Sequence, residues 1–360
     1  MKVETLHIFN PEHDIALAAN LANFTAPHAG RQLRNDLGFL PALWAGDGGA
    51  VLVDNVEMAE KAYNRLRGKM GRQPCLFVNK SQLQALEIQQ IEPWGWNMAL
   101  KSYLKRNGAG WETLPSDEDI AVVRKLSHRM TAASLLVKLQ MEGTVGNAWC
   151  AEQVTDIKQA LHNDGRIVLK APWSSSGRGV RFIEGELNEQ MQGWARGVMN
   201  QQGCIMIEPY YNKVKDFGME FTVDRTGVIH YEGLSLFHTK NGAYTGNLLA
   251  TEQAKQEVLG RYVSAELLDQ VRDRIISELD LGKYTGPFGV DMMIVHSTQE
   301  RMKNDRLLLH PCVEINLRRT MGHVALALTR QLNPTQDDDI QRVMRVIYNG
   351  NSYQLKIQRT

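Results

Sequence analysis

Short apolar runs and helical periodicity alternate along the first hundred positions. Residues 50–53 and 75–78 are apolar throughout and residues 6–9 nearly so, as expected of strands covered on both faces. Residues 56–69 between them repeat apolar positions at helical spacing. Strands alternating with helices predict parallel βαβ units. Leu114-Pro115-Ser116 interrupts this pattern, and Ser116 with Asp119 forms a capping-box-like helix start. Ile120, Val123, Leu126, Met130, Leu135, Leu136 and Leu139 then continue one stripe, predicting a long linker helix over 116–140.

The texture changes after about residue 147. A helical segment at 156–162 and an Asn163-Asp164-Gly165 turn precede a strand at 166–171. A loop at 172–179 and a strand at 180–183 complete an antiparallel hairpin. Further strands are predicted at 204–208, 220–223, 228–231, 289–295 and 307–316, with a helix over 267–279. The run Asp337 to Asp339 reads as the acidic first turn of a last helix. The pattern is α/β followed by α+β.

Composition narrows the class. The chain has 360 residues, 43% hydrophobic and 22% charged, enough for two domains with real cores and no structural metal. Lys and Arg total 41 against 40 Asp and Glu, a net charge of +1, so no global field recruits nucleic acid or an anionic membrane. No basic n-region leads an apolar run at the start, and no apolar stretch is long enough to span a bilayer. A cytoplasmic location is expected. Cys75, Cys150, Cys204 and Cys312 form no zinc or redox spacing and are expected to be four buried thiols.

Three segments carry candidate chemistry. In Val168-Leu169-Lys170-Ala171-Pro172-Trp173-Ser174-Ser175-Ser176-Gly177-Arg178-Gly179, a lysine ends an apolar strand and a loop of serines and glycines follows. Such a loop can wrap anionic oxygens with N–H and hydroxyl groups, and lysine supplies a point charge. Neither a Walker A order nor GxGxxG is present, and taken alone the segment also reads as an ordinary hairpin. Asp291 in a Gly-Val-Asp strand, and Glu314 and Asn316 in Glu-x-Asn, offer hard oxygen ligands suited to Mg²⁺. Glu314 and Asn316 share one strand face, which Arg318 continues; a solvated face on a half-buried strand is the plainer alternative. Glu208-Pro209-Tyr210 ends an apolar strand at a bend, and Glu220 opens the next, an arrangement equally consistent with a hinge carrying two solvated glutamates.

The order of these pieces resembles the ATP-grasp superfamily over about residues 116–325. The resemblance implies a Rossmann-like N-terminal domain (1–115), a linker helix (116–140), a central lid subdomain (141–212) and a C-terminal subdomain with the Mg/ATP site (213–360). The fold would thus be α/β plus α+β, with ATP held between two α+β subdomains. It further implies Lys170 on the α- and β-phosphates, and a lid of Ser174, Ser175, Ser176, Gly177 and Gly179. Glu208, Tyr210 and the backbone near them would face adenine, and Glu220 the ribose. Asp291, Glu314 and Asn316 would bind Mg²⁺, Arg318 would support the transferred phosphoryl group, and Arg129 would be the basic residue of the linker. The chain departs from the family at Leu317, where many members have proline, and in a long Asp291–Glu314 gap, for which residues 296–305 read as an extended hairpin tip.

Most members make an acyl phosphate from a carboxylate and ATP for an amine or thiol to attack. This needs positioning and charge neutralisation, with no protein nucleophile. The expected function is therefore an ADP-forming carboxylate–amine ligase acting on a small-molecule or peptide carboxylate, with ATP and Mg as cofactors. An ATP-grasp kinase and a non-catalytic nucleotide-binding regulator are the alternatives. Substrate readers are sought after the first strand, at Asn10, Glu12 and His13, where ligands gather in open parallel sheets, although Asn10 or Asp14 also suits helix capping. A second polar segment supplies His238, Lys240 and Tyr244, and Arg319 completes the set; a plain polar loop is the alternative for that segment. A homodimer is the commonest assembly for such an enzyme.

Overall fold

The computed structural model describes every residue except 69, 71–72, 175–176, 241–242, 298–305, 333–341 and 360. The chain divides into two units. The first comprises Met1–Arg124, Thr245–Ala254 and Leu317–Thr360; the second comprises Lys125–Tyr244 and Lys255–Asn316. Among the described residues no helix is long and apolar enough to cross a membrane.

The first unit opens with β1 (Lys2–Ile8), α1 (His13–Ala19), α2 (His28–Leu37), β2 (Ala50–Leu52), α3 (Val56–Arg67), β3 (Leu76–Val78), β4 (Glu87–Pro93), α4 (Met98–Arg106) and α5 (Asp117–Leu126). The sheet order is β3-β2-β1-β4, and all three pairings are parallel. The buried runs of β1, β2 and β3 form a core with Leu100 and Leu104 of α4. Asn55 and Asn97 start α3 and α4 by accepting from the amides of Met58 and Leu100 at 3.0 and 2.9 Å, each cap contributing roughly 1 kcal/mol. β4 escapes the apolar pattern because Ile88 and Ile91 are three apart and glutamines lie between them. At the sheet edge such a strand is tolerated.

The single helix expected over 116–140 is two. Ser116 and Asp119 do form the reciprocal cap of α5. The helix then stops at Leu126, and α6 (Arg129–Lys138) starts afresh with His128 Nδ1 accepting from the Met130 amide at 3.0 Å.

The second unit continues with β5 (Trp149–Ala151), α7 (Val154–Asp164), β6 (Arg166–Lys170), β7 (Val180–Glu184), α8 (Glu189–Gln202), β8 (Ile205–Pro209), β9 (Lys213–Val223), β10 (Ile229–Ser235) and β11 (Phe237–Lys240). The chain passes through β12 (Ala243–Leu249) and α9 (Glu252–Leu259), then adds α10 (Ala265–Glu278), β13 (Gly286–His296) and β14 (Leu307–Asn316). Two antiparallel sheets result, ordered β5-β8-β6-β7 and β10-β9-β13-β14. Ile157 and Leu161 of α7 bury against Ile167, Leu169, Ile205 and Ile207 of the first sheet. Phe221 and Phe288 stack at 5.0 Å in the second. The β13–β14 register shifts between Asp291, opposite Glu314, and Met293, opposite His310. Pro311 falls in the shift, where a residue without an N–H interrupts the ladder. The expected hairpin tip beyond Ser297 lies largely outside the described residues.

The four-thiol expectation is corrected: Cys150 and Cys204 form a disulfide, with Cα atoms 6.1 Å apart. Residues 149–151 run antiparallel to 205–207, which brings the two cysteines together. Cys75 and Cys312 are not disulfide-bonded.

The chain returns to the first unit with α11 (Met321–Leu332), β15 (Arg342–Tyr348) and β16 (Tyr353–Arg359). This overturns the expected last helix, whose supposed first turn, Asp337 to Asp339, lies outside the described residues. β15 and β16 form an antiparallel hairpin, and β15 also pairs with residues 246–249 of β12. The overlooked signal was Asn349-Gly350, a tight-turn dipeptide with Gly350 at φ 92°.

Candidate active site

In the second unit, strand register gathers the candidate chemistry. Lys170 ends β6 and Glu208 stands near the end of β8. Val168 is opposite Glu208 and Lys170 opposite Met206, so the two charged residues are diagonal neighbours on one face. Lys170 Nζ donates to Glu208 Oε2 at 2.6 Å, and both side chains are buried. Each charge therefore depends on the other to offset its desolvation.

Asp291 faces Glu314 across β13 and β14, and Gly289 faces Asn316. Asn316 Nδ2 donates to Asp291 Oδ2 at 3.0 Å, which turns its Oδ1 away from that bond as an oxygen donor for a cation. Glu314 Oε1 lies 2.9 Å from Arg129 Nη2. Two carboxylates and one amide oxygen are hard donors of the kind Mg²⁺ takes. Among the described residues, no three His, Cys, Asp or Glu side chains could hold a metal by themselves. The set therefore fits Mg²⁺ completed by phosphate oxygens and water, and it does not fit zinc.

Cys312 reports how closely the acids converge. Burial raises its thiol pKa, and the charges of Asp291, Glu208 and Glu314 raise it further. His310, fully buried on β14, is lowered to about 4, chiefly by burial. It is neutral at pH 7.

Arg129, in the first turn of α6, connects the acids to the loop after β6. Its Nε donates to the Ala171 carbonyl at 3.0 Å and its Nη2 to Ser174 Oγ at 3.3 Å, besides the Glu314 contact. The loop closes on itself where the Ala171 amide meets the Gly179 carbonyl at 2.8 Å. A Cβ at Gly179 would collide with Ser174, and Gly177 has φ 72°, so both positions require glycine. Ser175 and Ser176 lie outside the described residues.

Several expected roles meet a different geometry. The Tyr210 amide donates to the Arg166 carbonyl at 3.2 Å, and its ring lies under the Arg166 guanidinium at 4.2 Å. That amide is thus occupied rather than presented to a purine. Glu208 is engaged by Lys170. Glu220 is buried in β9 beside Tyr244, whose pKa is raised by burial and then by Glu220. His238 is exposed on β11, and Lys240 ends that strand.

The remaining candidates lie in the first unit. β14 ends at Asn316, so Arg318 does not continue its face. Its fork grips Asp14 instead, with Nε at 2.9 Å from Oδ1 and Nη2 at 2.7 Å from Oδ2. Arg319 stacks on Trp44 at 4.5 Å. Asn10 is spent on structure, donating to the Gly95 carbonyl at 2.8 Å and accepting from its amide at 3.4 Å. His13 is fully buried 3.4 Å from Asn97 Nδ2, and its pKa falls to about 4 through burial. A Cβ at Gly95 would stand 2.6 Å from that ring. Glu12 pairs with Arg34 at 2.5 Å, and Arg34 reaches Asp54 at 3.5 Å. Arg34, Asp54 and Asn97 were not anticipated. Only the position of Asp54, two residues past the end of β2, could have signalled any of them.

In fold, the chain is similar to an N5-carboxyaminoimidazole synthetase from Staphylococcus aureus, solved with ADP. The TM-score is 0.52 at 14% identity, covering 98% of this chain and 84% of that one. It is also similar to a biotin carboxylase from Campylobacter jejuni, solved as a β,γ-ATP complex. There the TM-score is 0.51 at 12% identity, covering 96% and 75%. By sequence, no family model and no curated protein matches the chain. The fold is the one the motif order implied: a Rossmann-like domain followed by an ATP-grasp fold with two α+β subdomains.

Proposed function

We propose that this protein is an ATP- and Mg²⁺-dependent ligase that activates a carboxylate as an acyl phosphate for attack by an amine. One observation carries the reading: Arg129 joins the loop after β6 to Glu314, which strand register sets opposite Asp291. A glycine loop, a buried lysine and a hard-oxygen set thereby converge in one unit. The nucleotides bound to the two similar folds support the same reading.

In the reaction, a carboxylate oxygen attacks the γ-phosphorus of ATP and ADP leaves. An amine then attacks the acyl carbon, phosphate leaves, and the amine proton passes to solvent or a nearby base. Asp291, Glu314 and the Asn316 amide oxygen would hold Mg²⁺, which when bound offsets phosphate charge. Glu208 fixes the Lys170 ammonium at the strand end, leaving two of its three N–H donors for phosphate oxygens. Arg129 holds the loop and Glu314 in one geometry, supplying the pre-positioning such reactions depend on.

The test is ADP release from Mg·ATP over pools of carboxylates and amines, with Glu314→Gln as the blank. Stimulation in the parent alone, with an amide product by mass, is expected. A phosphorylated product would instead identify a kinase. Equal release by the variant would overturn the assignment.

A further inference from the structure

The parallel-sheet unit contains a cavity of about 270 Å³ at the carboxyl ends of β1 and β2. That is near the lower end of the roughly 300–1,000 Å³ typical of small-molecule sites, and strand ends are where such sheets bind ligands. Phe9, Leu52 and Leu100 give it apolar walls.

Its charged lining is unevenly partnered. Glu12, 9% exposed, lines the cavity; Arg34 holds its Oε1, while its Oε2 is buried with no hydrogen-bond partner. Arg34 reaches Glu12 through Nη1 alone, and its Nε, 3.5 Å from Asp54 Oδ2, is likewise buried without a hydrogen-bond partner. A buried carboxylate oxygen without a donor is rare and costly, so Glu12 Oε2 is open to an N–H or O–H brought by a bound molecule. Arg31 and Arg106 also line the cavity and, among the described residues, neither has an acidic partner. Each has a backbone carbonyl only: Ala26 for Arg31 at 2.6 Å and Ser102 for Arg106 at 3.2 Å. The lining thus asks for a donor at one place and an anion at another.

We infer that this cavity binds a small amino acid, its ammonium donating to Glu12 and its carboxylate meeting Arg31 and Arg106. A diamine would leave the two arginines unmatched, and a dicarboxylate would set an anion against Glu12. As a binding site the cavity stands apart from the ligase reading; as the seat of one of the ligase's substrates it rests on that reading.

Calorimetry of the full chain without nucleotide tests it, using the common amino acids, their 2-hydroxy-acid counterparts and their decarboxylated amines. At least one amino acid binds, and loss of either its ammonium or its carboxylate weakens binding about tenfold or more, as for a hydrogen bond to a charged group. Glu12→Gln weakens binding by a similar factor. Arg106→Met, at an exposed position that leaves the fold intact, weakens it several-fold and guards against misfolding of the first variant. Absence of binding for every amino acid at millimolar concentration overturns the inference, as does unchanged affinity in both variants. ADP release is read in parallel. Binding without stimulated release would sink the ligase reading and keep the site, whereas release unaffected by Glu12→Gln would do the reverse.

Discussion

In the antiparallel unit, Lys170 finds Glu208 and Arg129 finds Glu314 within hydrogen-bonding range. In the parallel-sheet unit, Glu12 and Asp54 share one arginine and a carboxylate oxygen is left over. The difference follows from how each unit presents side chains. Antiparallel ladders repeat every two residues, so a charge on one strand meets a partner on the next at a fixed offset. Parallel strands present their chemistry on the loops beyond their ends, where no ladder fixes the offset. Register sets Lys170 beside Glu208, where each satisfies the other; the loop after β1 leaves a Glu12 oxygen to be satisfied by something that enters.

The sharpest way to break this contrast is on the strand side. Glu314→Gln should lower turnover by about two or more orders of magnitude, since it removes a charge from the proposed cation set and from Arg129. Steady-state ADP release checks this, and near-parental turnover would dissolve the proposed frame. Next in size, Lys170→Met should cost about 3–5 kcal/mol by stranding Glu208 in the interior. Urea melts should show that loss, and adding Glu208→Gln should recover most of it. A Lys170→Met protein as stable as its parent would mean that the pair is no stabilising frame.

A smaller effect separates the units by pH. His13 and His310 have folded pKa values of about 4, against an ordinary 6.5, mainly through burial. The unfolded chain therefore binds their protons first. Stability should be unaffected by these groups above pH 6.5 and should fall between pH 6.5 and 4, by roughly 3 kcal/mol per histidine at full protonation. His13→Asn should flatten that slope in the parallel-sheet unit and His310→Asn in the antiparallel one; an unchanged slope in either would refute the role of that ring. Smallest of all, Asp119→Ala should cost about 1 kcal/mol, because it removes half of the reciprocal cap of α5. A thermal melt with no shift would show that the cap contributes nothing.

What the sequence revealed follows the same division. Asp291, Glu314, Asn316 and Lys170 were legible because alternation along strands places residues on faces, and apolar runs mark the strands. Arg129 emerged only from the family-like order, since nothing local distinguishes it from other arginines on helices. The Asp14–Arg318 pair joins positions 304 apart, a contact no pattern encodes. The occupied amide of Tyr210 was equally hidden, because it depends on how far the β6–β8 ladder extends. The last helix was misread because Val343, Met344, Val346 and Ile347 satisfy both periods, and the Asn349-Gly350 turn that decides between them went unused.

The division of the chain also sets an order of completion during synthesis. The unit that holds the amino terminus needs residues 245–254 and 317–360, whereas the other is whole once Asn316 has emerged. The domain begun first is therefore finished last. The hairpin of β15 and β16 joins it only after the last residue of the antiparallel unit has emerged. The contacts that complete it are distant in sequence, and non-local contacts form late in folding.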